Sequence, residues 1–289
     1  MLALDSISQI HIPELWSLGL RGDRVRVGVI GTGIDLTHPD FTGCRINAAS
    51  LVGNGIEDVA DNAPHETGVV WLIIRIAPHV EIILIKDRNG PIGAISTIIT
   101  ACQQLLAWKV DLVNLSMSGA PSDDVDPLSR EVNYLTHQGI TVVAAAGNFG
   151  PGARTVGSPG VAEGAITVGK VDEHDTLARK SSRGPTLDRR MKPECVAPGR
   201  NIIAAVPSSL RSRYGVYSCT SFAAPHVTGA IALLKQAFPL ATPLQMKQAL
   251  MASCDPVNIP FSLHDQSCAI GTGRINASRA YGELEKLVG

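Results

Sequence analysis

The sequence has no surplus of basic residues. Its 25 Lys and Arg stand against 26 Asp and Glu, a net charge of −1. A nucleic-acid binder carries a basic excess, so no nucleic-acid partner is expected. Long apolar runs are missing too: the longest, Val69–Ile74, is stopped by Arg75. A membrane span needs about 18 such residues, so no membrane partner is expected. Cysteine is sparse. Cys44, Cys102, Cys195, Cys219, Cys254 and Cys268 are too few for a disulfide scaffold in 289 residues, and none shows C-x-x-C spacing. Free thiols are expected, with Cys254 and Cys268 the pair best placed for a bridge. Residues 1–20 lack the basic start and unbroken apolar core of a secretory leader. The chain is therefore expected to be cytoplasmic, or a mature form with its leader removed.

What is present argues for a folded enzyme-sized unit. Apolar residues make up 45% of the chain and charged residues 18%, enough to bury a large core. The 28 glycines and 18 prolines imply many turns. Val25–Ile30, Val80–Ile85, Val110–Leu115 and Ile140–Ala145 read as buried strands. Helical spacing runs through Ile92–Trp108 and Leu128–His137 between them. Alternating strands and helices without polar alternation in the strands imply a parallel sheet covered on both faces. Further on, Ala165–Val168 and Ile202–Val206 read as strands and Phe222–Phe238 as a helix. Thr242, Pro243 and Gln245 set a capping box, and a last helix is expected over Ala277–Leu287. With no repeat or linker, residues 1–289 read as one α/β domain.

Ligands of such sheets bind at the carboxyl ends of the strands. Three candidate residues fall at or near such positions. Ser221 lies where a polar turn becomes a helix, so it is either a helix cap or a nucleophile beside unpaired N–H groups. His65 precedes the apolar run in Pro-His-Glu-Thr-Gly, and Asn148 follows Ala-Ala-Ala-Gly. Each alone has an ordinary structural explanation; Asn148, for instance, suits a turn.

Taken together the segments resemble the subtilisin-like serine proteases, the subtilases. Arg26–Phe41 (RVGVIGTGIDLTHPDF) resembles the family's aspartate segment, and Pro64–Val69 a degraded form of its histidine motif. Thr141–Asn148 resembles the oxyanion-asparagine segment and Ser218–Gly229 the serine motif. Ser181–Pro185 and Val196–Gly199 extend the likeness, which runs from about Ile12 to Ala252. The resemblance implies a three-layer fold with a central, mostly parallel sheet and helices on both faces. It implies a serine endopeptidase in which Ser221 attacks the scissile carbonyl and His65 relays the proton. Asn148 and the Ser221 N–H would hold the oxyanion. The partner would be a polypeptide in extended conformation. It would pair with Leu115, Ser116, Met117, Ser118 and Gly119 and with the edge near Arg88–Gly93, while Ala145, Ala146, Gly147 and Gly160 line a side-chain pocket. A propeptide or inhibitor, if one exists, is not visible in this chain. No cofactor is expected. Asp40 matches one family calcium ligand, but Ala77-Pro78 follows His65 too closely for the loop carrying the others, so calcium is not expected there and the metal set is empty.

One departure stands out. Gly31-Thr32-Gly33-Ile34-Asp35 occupies the place of a motif whose first residue is the family's catalytic aspartate, so Gly31 falls at that position. In subtilisin, loss of that aspartate costs about 3 × 10⁴ in turnover. Low activity is therefore expected. The alternatives are a pseudoprotease that keeps the cleft as a peptide-binding or scaffold module, or an engineered inactive variant. Asp61 and Glu66 are the acids nearest His65 in sequence, but an adjacent residue ordinarily points away from its neighbour's working face. The expectation is a polar hole beside His65, open to water or a small anion and repaired by Gly31→Asp. Gly68 and Cys219 also replace family residues, a histidine and a glycine.

Overall fold

The computed structural model describes residues 3–260 and 266–289. Among them, a seven-stranded sheet is built from β1 (Arg26–Gly31), β2 (Arg45–Ser50), β3 (Glu81–Lys86), β4 (Leu112–Leu115), β5 (Thr141–Ala145), β6 (Ile166–Val171) and β7 (Cys195–Pro198). The strand order is β2-β3-β1-β4-β5-β6-β7 and every pairing is parallel. β8 (Ile202–Ala205) and β9 (Tyr214–Tyr217) form a separate antiparallel pair. The helices are α1 (Ala3–Gln9), α2 (Ile12–Ser17), α3 (Glu66–Ile76), α4 (Ile95–Ala107), α5 (Pro127–His137), α6 (Ala224–Ala237), α7 (Pro243–Ala252), α8 (Ser267–Ile270) and α9 (Ala277–Val288).

Successive strand residues point to opposite faces, and here both faces are dry. Val27 and Val29 of β1, Ile82 and Leu84 of β3, and Val143 of β5 pack into one core with α3 and α6. Ile30, Ile83, Ile85, Val113 and Val142 pack into the other with α4 and α5. Two cores explain why the strands read as continuous apolar runs. Each fully buried Val, Leu or Ile contributes about 1.5–3 kcal/mol of transfer free energy. α6 runs through the larger core, buried from Ala224 to Lys235. Such a helix suits the middle of a large protein, and none among the described residues is long and apolar enough to cross a membrane.

The expected strands and helices form within a few residues of their predicted bounds. The sequence pattern did not announce α1, α2, α3, β2, β7, α8 or β9. β2 and β9 are half-exposed, so the continuous apolar signal that marks a buried strand is weak in them. Among the described residues no disulfide forms, and Cys254 is not bridged to Cys268. The capping box does form. Thr242 Oγ1 accepts from the Gln245 N–H at 3.3 Å, and Gln245 Oε1 accepts from the Thr242 N–H at 2.9 Å. Thr242→Ala should therefore lower stability by about 1 kcal/mol, read as a fall in the urea midpoint at unchanged m-value.

Candidate active site

β1 lies between β3 and β4, so the chain leaves its carboxyl end where connections diverge to either side. The segments after β4 and β5 reach the same edge, and so does the short 3₁₀ turn Thr220–Phe222 ahead of α6. A cavity of about 630 Å³ opens there, lined by His65, Asn148 and Ser221 together with Thr32. Sequence reasoning singled out these first three from segments far apart in the chain, and the fold brings them to one cleft.

The Ser221 segment is tied down by buried hydrogen bonds. Thr228 Oγ1 in α6 donates to Asn114 Oδ1 at 2.8 Å, and Asn114 Nδ2 donates to Ser116 Oγ at 2.9 Å. Ser116 Oγ donates to the Ser221 carbonyl at 2.8 Å. The Gly147 N–H donates to Thr220 Oγ1 at 3.0 Å, joining the β5 exit to the same turn. His65 is packed edge-on against Phe222, with ring centroids 5.6 Å apart, and Phe222 stacks on Tyr217.

The hole expected beside His65 is not open. Glu66 occupies it. A Cβ built on Gly31 would overlap the Glu66 carboxyl group. His65 Nδ1 lies 2.7 Å from Glu66 Oε2, which also accepts from the Thr32 N–H at 3.2 Å. Glu66 is fully buried. The expectation that an adjacent residue points away fails for a conformational reason. His65 is the residue before α3 and has non-helical backbone angles (φ −143°, ψ −61°), while Glu66 is the first helical residue. The break between them lets both side chains turn to the same side, and the two methylenes of Glu66 carry its carboxylate back to the end of β1.

Asp61 has a different task. Its Oδ2 accepts from the N–H groups of His65 and Thr67 at 3.0 and 2.9 Å, and its Oδ1 from Thr32 Oγ1 at 2.7 Å. It satisfies donors at the start of α3 that have no helical partner, and fixes the angle at which His65 and Glu66 leave the loop. Behind Glu66, Arg88 Nη2 stands 3.9 Å from Oε1, and Arg88 Nη1 bonds Asp87 at 2.7 Å. Among the described residues, Glu66 Oε1 has no hydrogen-bond partner.

These contacts set the charges. Burial alone would raise the Glu66 carboxyl, but His65, Arg88 and the Thr32 N–H hold it below its ordinary range. Burial likewise opposes charge on His65. The Glu66 carboxylate and the Cys219 thiol outweigh it, so the imidazole lies above its usual 6.5. Burial pushes the Asp87 carboxyl up to about 6, against the pull of Arg88. Cys219, two residues before Ser221, interacts with both His65 and Ser221. Although burial opposes it, these neighbours and Lys170 bring the thiol below its ordinary value.

Of the expected substrate-contact residues, Ser116, Met117, Ser118 and Gly119 line the cavity. Leu115, Ala145, Ala146, Gly147 and Gly160 do not. They are buried, because they sit at or beneath the strand ends and face protein. Ser158 and Pro159 take the place expected for Gly160. The sequence did not single out the apolar wall formed by Ile95, Ile98, Pro121, Leu128 and Phe149. Its members come from four segments, and only their convergence reveals it. Asp40 Oδ2 accepts from Trp71 Nε1 at 2.6 Å and from the Tyr214 hydroxyl at 3.0 Å.

A family model described as the subtilase family matches residues 22–282. The chain belongs to the subtilase family of serine proteases. It is 32% identical over 248 residues to the major intracellular serine protease of Bacillus subtilis, covering 80% of this chain and 74% of that one. It is also 32% identical over 287 residues to a subtilisin of Bacillus pumilus, covering 95% and 97%. Against subtilisin E of Bacillus subtilis it is 34% identical over 257 residues, but spans only 64% of that protein's length. Among solved structures it resembles the prenylagaramide maturation protease PagA, with a TM-score of 0.78, 25% identity, and coverage of 95% and 98%.

The Glu66 contact has a direct readout. The His65 ring should titrate above 6.5 by NMR, and Glu66→Gln should move that titration to lower pH, since the carboxylate favours the protonated ring. An unmoved titration would mean that the two groups are not coupled in solution.

Proposed function

We propose that this chain is an active subtilisin-like serine endopeptidase whose third triad member is Glu66, standing in for the aspartate absent at residue 31. The observation that carries this reading is the 2.7 Å contact from Glu66 Oε2 to His65 Nδ1, made in the space a side chain at residue 31 would need. The expectation of low activity rested on an imidazole without an acid. With Glu66 ionised and hydrogen-bonded, His65 has the partner that fixes its tautomer and balances its charge as it takes up a proton.

In this reading the deprotonated ring, the form favoured above its raised pKa, keeps Nδ1–H on Glu66 and leaves Nε2 to take a proton. Ser221 Oγ bonds to the substrate carbonyl carbon as its proton passes to His65 Nε2. The oxyanion that forms is held by Asn148 Nδ2 and the Ser221 N–H. His65 then gives the proton to the departing amine as the C–N bond breaks, and water hydrolyses the acyl-enzyme by the same steps. An extended peptide fits between the Arg88–Gly93 and Ser116–Gly119 edges. Ile92, 88% exposed beside the cavity, offers it apolar surface. The likeness to PagA makes a precursor peptide one substrate worth assaying. Residues 1–289 act as one catalytic domain.

The scaffold reading differs in one observation. A fluorophosphonate probe should label the native chain, lose its target in Ser221→Ala and keep it in Cys219→Ala. Absence of Ser221-dependent labelling would leave the peptide-binding module as the better reading.

The acid assignment is tested by exchange. Glu66→Gly should cut turnover by about 10⁴-fold, as loss of the triad aspartate does in subtilisin. Gly31→Asp alone should impair rather than improve the enzyme, because the new side chain meets the Glu66 carboxyl. The double variant Gly31→Asp/Glu66→Gly should recover most of the loss. Native-like turnover in Glu66→Gly, or a gain from Gly31→Asp alone, would remove Glu66 from the mechanism.

A further inference from the structure

Lys170 is a buried cation that has no acid to pair with among the described residues. It lies on β6 and is only 4% exposed. Among the described residues it makes no ion pair. Its Nζ donates instead to Asn148 Oδ1 at 2.6 Å and to the Ser218 carbonyl at 3.1 Å. The charged groups around it are Lys180 and Arg200, with the Cys219 thiol on the facing turn. Leaving a cation out of water without a counter-charge is costly, so its position calls for an explanation.

The contacts supply one. Asn148 Oδ1 receives two donors, Lys170 Nζ and the Thr220 N–H at 3.1 Å. Neither partner can accept a hydrogen bond. The orientation of the carboxamide is therefore fixed by chemistry. Turning it over would set its NH₂ group against an ammonium and an amide N–H. With Oδ1 held on the protein side, Nδ2 is left to the cleft, where Asn148 is exposed and lines the cavity.

We infer that Lys170 is a positioning residue for the oxyanion site: it locks Asn148 with Nδ2 toward the substrate and sets a positive charge behind the carboxamide. This rests on the serine-protease reading of Asn148. The negative charge that Lys170 lacks in the resting protein arises in the transition state, on the substrate oxygen that Asn148 would hold. A donor held in place beforehand, and polarised by a cation, stabilises that charge without reorganising as it forms. Through the Ser218 carbonyl the same ammonium ties β6 to the nucleophile turn, so both sides of the oxyanion site share one anchor.

The test is a double-mutant cycle on a chromogenic peptide substrate, with active sites counted by fluorophosphonate titration. Lys170→Met keeps the side-chain length and removes the charge and the donor. It should lower kcat by about 10- to 100-fold with KM changed less than about twofold, the pattern of an interaction made in the transition state. Lys170→Arg, which keeps the charge, should lose less than Lys170→Met. In an Asn148→Ala background, Lys170→Met should change kcat by less than about twofold, because the group it acts through is gone. An equal loss in both backgrounds would overturn the inference, as would an unchanged kcat in Lys170→Met. Should Lys170→Met fail to fold, Lys170→Gln carries the same cycle. A native chain with no Ser221-dependent turnover would instead refute the protease reading beneath it.

Discussion

The hydrogen bond between the Glu66 carboxylate and His65 Nδ1 is the contact around which this site is arranged. It requires a glycine at the end of β1, because any side chain at residue 31 would compete for the same volume. It requires the abrupt start of α3, because only a non-helical His65 followed by a helical Glu66 turns both side chains inward. And it requires Asp61, whose carboxylate gathers the loose N–H groups at that helix start. An acid has thus been set beside the imidazole from the helix instead of from the strand. The longer glutamate side chain makes up the difference in reach.

The rest of the cleft depends on a similar economy of buried polar contacts. The file from Thr228 through Asn114 and Ser116 to the Ser221 carbonyl links the central helix to the sheet and the sheet to the Ser221 turn. Lys170 does the same from β6, reaching both Asn148 and Ser218. In the interior such bonds are strong because water does not compete, and breaking one leaves its partner stranded. This makes the geometry of the site a property of its packing and not of its loops.

Much of the fold was legible in the sequence. The strands of a doubly covered parallel sheet are apolar on both faces, and Val25–Ile30, Val80–Ile85 and Ile140–Ala145 carry that mark plainly. Of the strands it missed, β2 at the sheet edge and β9 in the small hairpin have little core to face, while β7 is buried but only four residues long. In the cleft, Ser221, His65 and Asn148 could be singled out because each lies in a motif whose local shape constrains many neighbours at once, and the fold brings the three together. Leu115, Ala145, Ala146, Gly147 and Gly160 are buried and do not line the cavity. Motif membership locates a segment at the strand ends but does not say which residue's surface faces the cleft.

The sequence by itself determined the class of fold, the family and the segments that meet at the cleft, since these follow from patterns of burial and from short motifs. It also determined that residue 31 carries no acid. What fills the space beside Gly31 was decided only by the tertiary structure, because that depends on the torsion angles of a single residue, His65, and on the distance between the end of β1 and the start of α3. The same is true of Lys170. Nothing in the run Ile166–Val171 marks its lysine, and its meaning comes from an asparagine 22 positions away that the fold sets within hydrogen-bonding distance. Motifs record local shape. The placement of a charge against a distant group is fixed by packing, which the order of residues encodes only through the whole fold.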